Sequence, residues 1–127
     1  MTTALLIGLL GGLGAMARFV VDGAVRQRWG AAFPVGTATV NVSGSFLAGL
    51  LSGAALAGTL GGPAAAAAVT GFCGGYTTFS TAMTDTVRLV RDGAARRAVL
   101  YAVGTAALSV LAAVAGLAAA ALAATLS

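Results

Sequence analysis

Four long apolar runs, separated by short joints rich in arginine or glycine, decide what this chain can become. They cover about residues 3–25, 33–57, 62–91 and 96–125. Each exceeds the roughly 20 residues that a helix needs to cross about 30 Å of hydrocarbon. A soluble fold fails on arithmetic. Of 127 residues, 59% are hydrophobic and 8% charged, and seven basic and three acidic side chains cannot clothe so small a domain. The mean hydropathy of +0.99 agrees. The chain reads as one all-α integral membrane domain with four transmembrane helices.

The ends of the runs carry the charges. Arg26, Arg28 and Trp29 close the first run as an interfacial cluster, and Pro34 opens the second. Arg88, Arg91 and Asp92 close the third, and Arg96 and Arg97 begin the fourth. Nucleic-acid binding would gather these charges on one soluble face, so that class is excluded. The first run has no basic segment before it and no convincing cleavage site, so it is expected to stay as a span. Cys73 is the single cysteine, which excludes an intrachain disulfide and a cysteine metal cluster. The chain has no histidine, hence no histidine-based hydrolytic triad, and an enzyme is not expected. Gly8 and Gly12, and then Ser45, Gly49 and Gly53, recur at four-residue spacing and are expected to bring helices close together.

The third run is too long for one straight helix, since its 30 residues would extend about 45 Å. It also contains GFCGGYTTFSTAMTD at 71–85, where glycines, hydroxyls and an aspartate interrupt the apolar text. A break at 73–78 would divide it. Non-helical backbone at membrane depth survives only where protein buries it or water lines it, so this stretch marks a site. Two further polar sets lie in the spans. Asn41 sits mid-span with Thr37 and Ser45 one turn to either side, and Tyr101, Thr105 and Ser109 form a stripe at i, i+4, i+8. A lone membrane serine or threonine usually bonds its own i−4 carbonyl. A stripe of three beside a broken helix weighs against that ordinary role. The chain has no Glu, Lys or His, and its acids are Asp22, Asp85 and Asp92. The deep equipment is hydroxyls, an amide, aromatic edges and Arg18: donors and positive potential suited to a small anion.

These stretches resemble the Fluc (CrcB) family of small fluoride channels. GGLGAMARF resembles the family's opening motif, GTATVNVSGSFLAG its second-span motif and GFCGGYTTFST its third-span break. The three occur in order, and the likeness runs over nearly the whole chain. It implies a subunit of an antiparallel dimer, with two pores along the subunit interface and a third helix broken mid-membrane. It also implies a structural sodium ion at the dimer centre, held by the main-chain carbonyls of Gly74 and Thr77. Asn41 would donate its amide to fluoride and Arg18 would stand at a vestibule. Thr105 and Ser109 would form a polar track beside Tyr101 and Thr37, with Phe79 turning its electropositive ring edge to the anion.

Two departures qualify the resemblance. The family's second pore phenylalanine falls where this chain has Ala82, followed by Met83, and Asp85 stands where a glutamate is common. The arginines are also one-sided. Arg26, Arg28, Arg88, Arg91, Arg96 and Arg97 flank the joints on one side, and none flanks the other. The positive-inside rule then places both termini outside the plasma membrane in a fixed orientation. A functional antiparallel dimer would be either a homodimer or a heterodimer with an oppositely oriented homologue. The leading expectation is passive fluoride export that lowers cytoplasmic fluoride. A second is a fixed-orientation, non-conducting partner subunit of a heterodimeric channel. A third, a small multidrug or cation exporter, is disfavoured because no carboxylate is placed as an intramembrane proton carrier.

Overall fold

The computed structural model describes residues 1–127 and is built from helices alone. Three helices are long and apolar enough to cross a membrane: α1 (Thr2–Trp29), α2 (Val35–Leu56) and α6 (Ala95–Leu126). Glycines in the left-handed region turn the chain after α1 and α2, at Gly30 (φ 81°) and Gly58 (φ 75°). Side chains larger than hydrogen are strained there.

The third run is assembled from pieces. A short α3 (Gly62–Ala66) widens into π-helical turns over Ala67–Cys73, tightens again in α4 (Gly74–Tyr76), and stops. Thr77 (φ −83°, ψ 158°) and Thr78 (φ −150°, ψ 116°) are extended, after which α5 (Phe79–Arg91) begins. The interruption is therefore narrower than the expected 73–78. Gly74 keeps helical angles, and the irregularity before it is absorbed by the wide turns at 67–73. Each half is about 20 Å long, short of the roughly 30 Å hydrocarbon layer. Only the two together have the reach of a span.

Glycines set how closely the pieces approach. A β-carbon at Gly49 would meet the Ala113 carbonyl on α6, and one at Gly116 would meet the Phe46 carbonyl on α2. A β-carbon at Gly14 would meet the Phe72 carbonyl, and one at Gly75 the Gly11 carbonyl. The α1 contact thus uses Gly11 and Gly14, facing Gly71 and Gly75. Gly8 and Gly12, expected to pack, have open space where a β-carbon would stand. They lie one residue, about 100° of helix rotation, away from the contact row. Gly49 and Gly53 do pack as expected, both against α6.

The interior is small. Only 19 of 127 residues are buried, so most apolar side chains, Leu9, Phe19 and Leu111 among them, face outward. An inverted surface of this kind suits lipid and a helical partner, not water. The tightest apolar cluster joins Ala82 and Leu89 of α5 to Ala98 and Tyr101 of α6, and fixes α5 beside α6.

Candidate functional site

The break is the natural starting point, because it leaves main-chain polar groups without helical partners. Side chains from two other helices meet them. Thr78 N–H donates to Asn41 Oδ1 at 2.8 Å, and Asn41 Nδ2 donates to the Thr78 carbonyl at 2.9 Å. Arg18 Nη1 on α1 donates to the Thr77 carbonyl at 3.3 Å. The Thr78 hydroxyl caps α5 by accepting from Thr81 N–H at 3.2 Å. Because Asn41 takes the Thr78 amide, the Gly74 carbonyl is left without its i+4 donor.

Two cavities flank this segment. A groove of about 270 Å³ is walled by Asn41 and Ser45 of α2, the break and Phe79, Ala82 and Met83 of α5, and Tyr101, Thr105 and Ser109 of α6. A second cavity of about 260 Å³ is lined by Arg18 and Asp22 of α1, Thr37 of α2, and Thr78 and Thr81. Thr78 borders both, so the break is the partition between them. The structure therefore gathers Asn41, Thr77, Phe79, Ala82, Tyr101, Thr105 and Ser109 in one place. Thr37 and Arg18 lie in the second cavity. Gly74 lines neither and is exposed at the start of α4.

Two populations stand out among the remaining hydroxyls. Those of Thr39, Ser43, Thr84 and Thr86 bond carbonyls four residues back, the ordinary role in a helix. Those of Ser45, Thr105 and Ser109 make no hydrogen bond within the chain and face the groove. Free donors beside an amide N–H and a phenylalanine that is 78% exposed form a surface able to replace part of an anion's hydration shell.

A buried polar junction lies nearby, and the sequence did not disclose it. Thr37 Oγ1 donates to Asp85 Oδ2 at 2.8 Å, and Arg88 approaches Asp85 Oδ1 to 3.6 Å. The ring of Tyr101 meets Phe33 edge to face at 5.7 Å, and its hydroxyl, fully enclosed, has no partner within the chain. Asp22, on the second cavity, pairs with Arg26 Nε at 2.9 Å. Asp85 stood out as an acid inside an apolar run and as standing where a glutamate is common, with no sign of a partner. Its union with Thr37, 48 residues away, could not be read from spacing.

Comparison with known proteins bears on this geometry. Residues 5–117 match the family model described as CrcB-like protein, Camphor Resistance (CrcB). The chain is 44% identical over 117 residues to fluoride-specific ion channel FluC 2 of Cutibacterium acnes, covering 91% of this chain and 95% of that one. It is 46% identical over 100 residues to fluoride-specific ion channel FluC 1 of Leifsonia xyli subsp. xyli, covering 79% and 73%. It is 41% identical over 119 residues to the FluC of Rhizobium meliloti, covering 93% and 95%. The matches include the break, the amide that meets it and the hydroxyl-lined groove, and on that extent and identity this integral membrane chain belongs to the CrcB-like family.

Proposed function

We propose that this chain is a subunit of a fluoride-specific channel that lets fluoride leave the cytoplasm passively across the plasma membrane. The observation that carries the reading is the groove, where free hydroxyls of Thr105 and Ser109 stand with Asn41 and the exposed Phe79 beside the break. Its lining holds neutral donors and no charged side chain, which suits conduction down a gradient over coupled transport. Fluoride would be passed between hydroxyls, the Asn41 N–H and the ring edge of Phe79, none of which alone binds tightly enough to trap it. Arg18, in the second cavity, would raise the local anion concentration at the mouth, while the Thr37 hydroxyl beside it is committed to Asp85.

The groove is open on one flank, so the reading includes a second, antiparallel subunit that closes it, with lipid covering the remaining apolar faces. The third run then crosses as two half-helices, giving four spans. A sodium ion at the dimer centre belongs to the same reading. The Gly74 carbonyl, left without its helical donor, would suit a hard cation, whereas the Thr77 carbonyl already accepts a 3.3 Å bond from the Arg18 guanidinium that an ion would have to displace. Two carbonyls do not fill a shell of about six oxygens, so the second subunit would supply the others. Bound there, the ion would supply fixed positive charge that offsets the desolvation of a nearby anion.

A second reading is favoured by Ala82 and the one-sided arginines. The chain would insert with N and C termini outside and require an oppositely biased homologue, one pore of the heterodimer being non-conducting. Efflux of fluoride from liposomes containing the purified chain alone tests both. Fluoride-selective efflux is expected from the chain reconstituted with its partner. Robust efflux from the chain alone removes the obligate partner, and no efflux under either condition overturns the channel reading.

A further inference from the structure

The two hydrogen bonds between Asn41 and Thr78 form a closed pair. Thr78 N–H meets Oδ1 and the Thr78 carbonyl meets Nδ2, the exchange one strand residue makes with another, here supplied by a side chain. Asn41 is the partner within the chain for both main-chain groups of Thr78. This fixes which way the amide faces. A flipped amide would set two donors against each other and two oxygens against each other. Oδ1 is thereby held against the main chain, and the second Nδ2–H is the donor left for the groove that Asn41 lines.

The α2 surface is shaped to receive the break at this point. Gly44, three residues beyond Asn41, lies where a β-carbon would meet the Thr77 methyl group and the Tyr76 ring. Thr78 in turn caps α5 and immediately precedes Phe79, so whatever holds its main chain also sets where that ring stands.

We propose that Asn41 is a positioning residue: its amide clamps the Thr78 main chain, keeps Phe79 at the groove wall and presents only N–H to a passing anion. A freely flipping asparagine would show its carbonyl oxygen to the pathway and repel the ion. The clamp removes that orientation without adding a charge. The conduction half of this inference rests on the fluoride-channel reading, whereas the clamp itself does not.

The test uses the full chain, labelled with 15N-threonine, in lipid nanodiscs and in liposomes. The wild-type Thr78 amide is expected to exchange slowly with solvent, although it lies outside any helix. Asn41→Ala is expected to speed that exchange by roughly tenfold to a hundredfold, the factor set by losing one or two hydrogen bonds, with fluoride efflux falling at least about tenfold. Asn41→Asp keeps an oxygen opposite the Thr78 N–H, so the amide stays protected while efflux is lost, because a carboxylate now faces both the Thr78 carbonyl and the anion. This variant carries the test if the alanine variant fails to fold. Unchanged Thr78 exchange in folded Asn41→Ala, or fast exchange in Asn41→Asp, overturns the clamp. Wild-type liposomes that pass no fluoride, with or without the oppositely oriented partner, overturn the channel reading instead and leave the exchange result standing.

Discussion

At the scale of single residues, the division of hydroxyls into bonded and free makes a sharp contrast. Thr105→Val and Ser109→Ala remove donors that have no partner in the chain, so fluoride efflux is expected to fall about tenfold. That is the weight of roughly one net hydrogen bond, and the thermal unfolding midpoint in detergent should barely move. Thr37→Val behaves in the opposite way. It leaves a buried Asp85 oxygen without its 2.8 Å donor, and stability is expected to drop by about 1–3 kcal/mol. An unchanged unfolding midpoint for Thr37→Val would show that the junction holds nothing together. Membership of the groove was largely legible at this scale, because Asn41, Thr105 and Ser109 stand out in apolar text. The two bonds of Asn41 to Thr78, and the burial of Asp85, were not. Both depend on partners 37 or more positions distant, which spacing along one helix cannot reveal.

At the scale of elements, helix contact in this molecule is a matter of missing β-carbons. Gly75→Ala would drive a methyl group into the Gly11 carbonyl, a backbone atom that cannot turn aside. The expected cost is about 1–3 kcal/mol, read as a lower unfolding midpoint, with α1 displaced from the third span. Gly12→Ala has open space around it and is expected to change stability by less than about 0.5 kcal/mol. Equal behaviour of the two variants would refute the packing row seen in the fold. The four-residue repeat of Gly8 and Gly12 is a real pattern in the sequence. It does not say which side of α1 meets a neighbour, and the row one residue away is the one that meets Gly71 and Phe72.

At the scale of the whole molecule, the proposed orientation rests on the balance of charge and the proposed assembly on the open groove. Six arginines flank the joints on one side and none flanks the other, so cysteines added at both termini are expected to label from outside only. Replacing Arg26, Arg28, Arg88, Arg91, Arg96 and Arg97 together by neutral residues should yield a mixed population labelled from both faces. Single-sided labelling of that variant would remove the arginines as the cause. Phe79, exposed in one chain, should become protected when a second subunit covers the groove, which solvent accessibility at an introduced cysteine would report.

By itself the sequence determined that this chain enters a membrane, that its third run breaks, and which polar side chains stand in the apolar text around that break. Composition and run length are properties of the chain alone, and hydrocarbon tolerates few alternatives to a helix. Only the tertiary structure decided how the break survives. The extended residues Thr77 and Thr78 persist because Arg18 and Asn41 reach across from α1 and α2 to satisfy their main-chain groups. Those bonds exist only once three helices, brought together by glycines, have placed their backbones side by side.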